Sequence, residues 1–169
     1  SSYTHLLNLA ELANDANTNS LLDSAYHYAQ ACDIDMDFAS WRVADGYGWN
    51  PIGNSNLTPF RGHYHGKGQK ITNLWSERNN SSFVALFGCV INSRIDSLTI
   101  ENARIEGWFS SAALVGCALT RGGYQDVTYI TDCKVEIVKQ IETFFCHPFS
   151  LIEFCREVLL PWNIRDMPI

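Results

Sequence analysis

The sequence predicts a mainly β protein, wound as a short right-handed parallel β-helix of about three to four coils with short helices capping its N- and C-terminal ends. Three observations point there. Similar apolar pieces recur along the middle of the chain, Gly and Asn punctuate them, and helical patterning is confined to the two ends. A β-sandwich with coincidental repetition is the alternative topology.

The elements follow in chain order. In THLLNLAELAN, residues 4–14, Thr4 suits a helix N-cap and Leu6, Leu9, Ala10 and Ala13 share one helical face. DANTNS breaks that pattern, so residues 1–20 form an N-terminal capping helix. In SAYHYAQACDIDMDFA, Tyr26 and Tyr28, then Ile34, Met36 and Phe38, alternate with polar residues as in strands with one buried face. DGYGWNPIGNSNLTP is rich in Gly, Asn and Pro and reads as loop.

Repetition dominates residues 21–137. ITNLW from Ile71, IDSLT from Ile95 and ITDCK from Ile130 share Ile, two polar positions and then an apolar residue. VALFGCV from Val84 and AALVGCA from Ala112 match at Ala, Gly and Cys. The Ile pieces recur after about two dozen residues and then after a longer interval, which holds RGGYQDVTY as an inserted loop. A unit of that size cannot bury its apolar face alone, whereas stacked units can, with equivalent side chains in ladders. The segment 138–169 is then a C-terminal cap or partner-contact segment of the same single domain, 1–169. Within it, Ser150 and Glu153 match a capping box, and Leu151, Phe154, Cys155, Val158 and Leu159 make an apolar stripe. The neighbouring QIETFFCHPF is aromatic enough to pack on the last coil or to serve a partner subunit.

Composition excludes several classes. The chain has 169 residues, 46% hydrophobic and 18% charged, and a net charge of −6 from 12 basic and 18 acidic side chains. That balance, without a basic cluster, argues against nucleic acid. No apolar run reaches the roughly 20 residues of a membrane span. The opening SSYTHLL has no initiator Met or leader, so a mature product or excised fragment, with any export signal removed, is expected. The 6 cysteines include no CxxC pair, which disfavours zinc ribbons and thioredoxin-like sites.

The order YHYAQACDIDM, WNPIGN, FRGHYHGKGQKITNLW, FVALFGCV and AALVGCA resembles the GLUG-motif repeat proteins. Their pattern joins a Gly-rich F-x-G-x-[aromatic]-D-G-x-G-x-x-I-x-N-L stretch to G-L-F-G or G-L-V-G pieces. Phe60, Gly62, Tyr64, Gly66, Gly68, Ile71, Asn73 and Leu74 match, while Ala85 and Ala113 replace the leading glycine of the second piece. The resemblance covers roughly residues 20–137. It implies a β-helix in bacterial-type surface or adhesin-like proteins, an extracellular or cell-surface place and a structural or adhesive role. It carries over no catalytic residue.

The candidate chemistry is weighed residue by residue. His63 and His65 alternate, so both project from one strand face and can chelate a transition metal, but a third ligand is needed, from His27 or an Asp of a neighbouring coil. The family pattern has Asp at the position of His65, which favours a polar turn-facing role over a metal. Gly62, Gly66 and Gly68 lead into a strand, not a helix, and so do not make a phosphate loop. Asp33, Asp35 and Asp37 share one strand face; calcium is the cofactor they would suit, and a solvated face is the simpler reading. The same aspartates carry the alternative function, a carbohydrate-active β-helix enzyme of the lyase or hydrolase kind.

Cys89 and Cys117 follow equivalent glycines, so stacking would bring them close enough for an inter-coil disulfide or for two packed thiols. Trp49, Trp75 and Trp108 lie in or beside predicted loops, where indole faces can stack on sugars. Asn56, Asn79 and Asn80 head N-x-[ST] triplets and are glycosylation acceptors if the chain meets that machinery. The expected function is therefore a non-catalytic surface module that contacts a surface glycan or protein ligand, or self-associates into a fibre.

Overall fold

The computed structural model describes residues 3–19, 26–36, 46–119 and 127–136. It is mainly β, and its sheets are parallel. Helix α1 (Tyr3–Asn14) and the short α2 (Ala16–Asn19) come first, followed by β1 (His27–Ala29) and β2 (Ile34–Asp35). The next four strands are β3 (His63–His65), β4 (Lys70–Thr72), β5 (Trp75–Ser82) and β6 (Phe87–Val90). Four more repeat that order: β7 (Arg94–Asp96), β8 (Thr99–Glu101), β9 (Arg104–Phe109) and β10 (Val115–Ala118). A further two, β11 (Tyr129–Thr131) and β12 (Lys134–Glu136), complete the described residues.

Each strand pairs in parallel with its equivalent in the following turn of chain, giving sheets ordered β1-β3-β7-β11, β2-β4-β8-β12, β5-β9 and β6-β10. Most strands are three residues long, with one apolar residue facing in and its neighbours facing out. Tyr64, Ile95 and Ile130 stack on the first sheet. Ile34, Ile71, Ile100 and Val135 stack on the second. Such a strand cannot hold itself together. It is held by the partner strand and by sharing one interior with the strands on the other sheets.

The corners explain the repeated sequence pattern. A left-handed residue follows strands β4, β7, β8 and β11: Asn73 (φ 57°), Ser97 (φ 54°), Asn102 (φ 54°) and Asp132 (φ 54°). After each comes a residue that turns inward: Leu74, Leu98 and Ala103 are buried, and Cys133 packs against the core. Asn and Asp tolerate this conformation better than most side chains because they can hydrogen-bond locally. The asparagines also form a ladder across coils. Asn102 Nδ2 donates to Asn73 Oδ1, and Asn73 Nδ2 donates to Asp35 Oδ1 at 2.9 Å.

This corrects the register expected from sequence. Ile71 pairs with Ile100, not with Ile95, whose partners are Tyr64 and Ile130. The Ile-x-[Asn/Ser/Asp]-apolar pattern marks a corner, and it occurs at two different corners, after β4 and β8 and after β7 and β11, so ITNL and IDSL sit on different sheets. IENA from Ile100 is a further instance. The pairing of VALFGCV with AALVGCA is as the sequence indicates: Phe87 faces Val115 and Cys89 faces Cys117.

Helix α1 packs its apolar face into the strand interior, with Leu6, Leu9, Ala10 and Ala13 buried in the same cluster as the strand residues. Residues 46–60 complete the first coil, through bridges from Ile52 to Phe87 and from Phe60 to Val90. Asn14 fastens the helix to that segment. Its Oδ1 accepts hydrogen bonds from the backbone N–H of Gly53 and of Asn54, both at 2.9 Å, and its Nδ2 donates to the Pro51 carbonyl at 2.9 Å. Asn14→Ala strands three half-buried backbone groups and is expected to cost about 2 kcal/mol, measured by urea unfolding. An unchanged midpoint would mean that α1 is held by its apolar face alone.

Two expectations fall differently. Tyr26, placed on the buried face of a strand, is 49% exposed: it lies one residue before β1, whose inward residue is Tyr28. Phe38 and the C-terminal cap, 138–169, lie outside the described residues.

Candidate metal centre

The outer face of the β1-β3-β7-β11 sheet brings three imidazoles together. Tyr64 sets the arrangement. It faces inward between His63 and His65, and its hydroxyl donates to Gln30 Oε1 at 2.9 Å. Gln30 Nε2 in turn donates to the carbonyls of Cys32 (2.9 Å) and Lys70 (2.8 Å). Burial raises the Tyr64 phenol well above its ordinary value, so it remains a protonated donor. With the middle residue locked inward, the strand period of two sends both histidines outward.

Parallel register then places His27 beside His63, and Ala29 beside His65. The small side chain of Ala29 leaves the His65 ring room to lean across β1. Its Nε2 lies 3.0 Å from His27 Nδ1, and the two rings stack with 5.3 Å between centroids. The His27 and His63 rings meet edge to face at 4.5 Å. One donor nitrogen from each of the three histidines lies within 4.8 Å of the others.

Asp96 fixes the direction of the His65 ring, since its Oδ2 lies 2.8 Å from His65 Nδ1. Arg94 Nε donates to the same oxygen at 3.2 Å. Burial alone would raise the Asp96 carboxyl, but hydrogen bonding and charge from His65, with hydrogen bonds from Ser97 and Arg94, hold it below its ordinary value. An ionised Asp96 accepts the Nδ1–H of His65, which leaves Nε2 with a lone pair directed at His27. With His65 in that tautomer, His27 Nδ1–H is the donor of the hydrogen bond between the two rings. His63 is held below its ordinary value by partial burial first, then by the neighbouring His27, His65 and Arg94, with Asp96 opposing. His63 therefore favours the neutral imidazole, the form that binds metal.

The other sequence candidates are placed as follows. Asp33 and Asp35 flank the inward Ile34 and both face outward. Asp33 Oδ1 accepts the Lys70 backbone N–H at 2.8 Å, and Asp35 Oδ1 holds Asn73, so each joins β2 to the next coil. Asp37 lies outside the described residues. Trp49 corrects the expectation of an exposed indole: it is fully buried, and its Nε1–H donates to the Leu86 carbonyl at 3.1 Å. The reason is that WNPIGN is not free loop but the part of the first coil that pairs with β5 and β6. Trp75 is half-buried on β5, and Trp108 is 60% exposed on β9. Asn56, Asn79 and Asn80 are exposed. Cys89 and Cys117 are register partners with free thiols. A shared proton stabilises the Cys117 thiolate, bringing it down to about 7, while Cys89 is pushed up.

No family model matches the chain, and no solved structure matches it. Two relatives do. A Gly-rich membrane protein of Evansella cellulosilytica is 35% identical over 111 residues, which cover 64% of this chain and 12% of that protein. Halomucin of Haloquadratum walsbyi is 34% identical over 114 residues, covering 65% of this chain and 1% of halomucin. The chain thus spans a small part of each relative's length. Among the described residues, no helix is long and apolar enough to cross a membrane.

Proposed function

We propose that this chain is a non-catalytic structural module of an extracellular or cell-surface protein, built as a right-handed parallel β-helix of the GLUG-repeat kind. The observation that carries this reading is the in-register stack. Equivalent strands of successive coils pair in parallel on sheet after sheet, with apolar or aromatic residues inward at each level. Such a stack makes a stiff rod whose outer faces are free for contact. The relatives support the setting, since one is named a Gly-rich membrane protein, the other halomucin, and both are far longer than the matched segment. Trp108 and Phe109, adjacent and exposed on β9, are aromatic surface for a surface glycan or protein ligand. In the enzyme alternative, Asp33 and Asp35 would have to act on substrate, whereas here each holds the next coil in place.

The test is accessibility on intact cells that make the parent protein. An antibody raised against this chain is expected to label unpermeabilised cells, and external protease is expected to remove the label. Labelling only after permeabilisation would overturn the surface placement.

A further inference from the structure

We propose that His27, His63 and His65 form a binding site for a borderline divalent transition ion of the zinc class, which pins the first coil of the stack to the second. The proposal stands independently of the surface-module reading.

The donor set decides the class of ion. Three imidazoles without a carboxylate among them suit zinc, copper or nickel, and do not suit calcium or magnesium, which require oxygen ligands. Ligands about 2.0–2.1 Å from a tetrahedral ion stand roughly 3.3 Å apart. His27 Nδ1 and His65 Nε2 are already 3.0 Å apart, and all three donors lie within 4.8 Å. Small rotations of the His63 and His27 rings therefore close the site without moving the backbone. His27 ligates as its Nε2–H tautomer, the Nδ1 proton passing to Nε2 by way of solvent, and the hydrogen bond between the two rings gives way to two metal–nitrogen bonds. Three protein ligands leave one position for water on the open side, where His27 is exposed.

Asp96 supplies what a three-histidine cluster alone would lack. A ligating histidine typically gives its other ring N–H to a carboxylate, which fixes the tautomer and makes the ligating nitrogen more basic. His65 has that partner at 2.8 Å, and Arg94 keeps the carboxylate in place. The groups facing the cluster come from three strands: His27 on β1, His63 and His65 on β3, and Arg94 and Asp96 on β7. The Arg94 charge is held on the Asp96 side by its hydrogen bond.

The consequence is mechanical. His27 sits on β1 and the other two ligands on β3, so an ion bound to all three joins strands of consecutive coils by bonds other than the ladder. Residues 26–36, which hold β1 and β2, gain most from that tie.

Calorimetric titration of the full chain with zinc, after chelator treatment and dialysis, is expected to show one ion bound per chain. Calcium should give no heat. His63→Ala or His27→Gln should abolish zinc binding while the β-type circular dichroism is retained. Asp96→Asn should weaken binding about tenfold or more while leaving the stoichiometry unchanged. Hydrogen exchange should slow across residues 26–36 on addition of zinc in the parent chain and not in His27→Gln. Because Cys32 is exposed, the cobalt-loaded protein provides a second readout, and it should lack a thiolate charge-transfer band. The proposal is overturned by absence of zinc binding, by binding that survives His63→Ala, or by a cobalt spectrum with thiolate character that Cys32→Ser removes.

Discussion

Phe87→Ala is expected to lower the stability of the fold by about 3–5 kcal/mol, the range for deleting a fully buried phenyl ring. Phe87 is fully buried, and its ring meets Phe60 at 5.2 Å and Tyr64 at 5.3 Å between centroids. Those partners come from two different parts of the stack. Phe60 belongs to the segment that completes the first coil, whereas Tyr64 lies on β3 of the second. The backbone of Phe87 is likewise central, paired with Ile52 on one side and Val115 on the other. Collapse around the cavity is limited because the neighbouring backbones are tied by ladder bonds, so most of the lost packing goes uncompensated. Phe109→Ala is the matched control: Phe109 is 40% exposed on β9, and its loss should cost under about 1 kcal/mol. Urea unfolding followed by circular dichroism measures both. If Phe87→Ala falls within about 1 kcal/mol of the parent chain, the coils do not share one interior in the way the geometry shows.

How far the sequence discloses this fold depends on which residue types each level demands. The helix α1 is legible because its apolar spacing has one geometric solution, and the four residues on that face are the four that are buried. The VALFGCV and AALVGCA pairing is legible because both coils need glycine at the same place. A Cβ at Gly88 would lie 2.6 Å from the Gly53 carbonyl oxygen, and one at Gly116 would lie 2.6 Å from the Ser110 oxygen. The Ile repeats mislead because two different corners, those after β7 and β11 and those after β4 and β8, ask for the same thing, an inward Ile followed by a left-handed polar residue and an inward apolar one. Sequence similarity therefore identifies the corner type without identifying the sheet.

The histidine cluster is half legible. Alternation in HYH shows that His63 and His65 project together, but the sequence-preferred role for them is a turn-facing one. What the pattern does not reveal is the register that sets His27 against His63, or the way Ala29 makes space for His65. Asp96 is hidden for a similar reason, since it lies a full coil away and no local motif marks it. Trp49 shows the opposite error. A stretch rich in Gly, Asn and Pro reads as exposed loop by composition, yet its backbone N–H donates to the Trp75 carbonyl at 2.8 Å and draws the indole into the interior. Composition reports turn chemistry; it does not report whether the turns are packed against another coil.

Gly53→Ala should be among the most damaging single-atom-scale changes in the chain, and Gly68→Ala a mild one, although both glycines have positive φ. Gly53 has φ 73° and Gly68 has φ 75°, so the conformational penalty for adding a Cβ is nearly the same at the two positions, about 1–2 kcal/mol. The surroundings differ. A Cβ at Gly68 meets nothing within 4 Å. At Gly53 it would lie 2.5 Å from the Cys89 carbonyl oxygen and 2.6 Å from the Phe60 nitrogen, both backbone atoms. Those atoms cannot swing aside as a side-chain tip can. Phe60 N–H donates to the Cys89 carbonyl at 2.9 Å, and the Cys89 N–H donates to the Gly53 carbonyl at 2.7 Å. Relieving the clash means breaking one of these inter-coil bonds or pushing β6 away from the first coil, which adds about 1–3 kcal/mol for each buried group left unpaired. Gly53→Ala is therefore expected to cost roughly 3 kcal/mol or more and Gly68→Ala no more than about 2 kcal/mol. The gap between them in thermal or urea unfolding isolates the close approach of the coils from the backbone conformation. Equal costs at the two positions would show that conformation alone explains the glycines, and that the coils do not meet at Gly53 as closely as this structure places them.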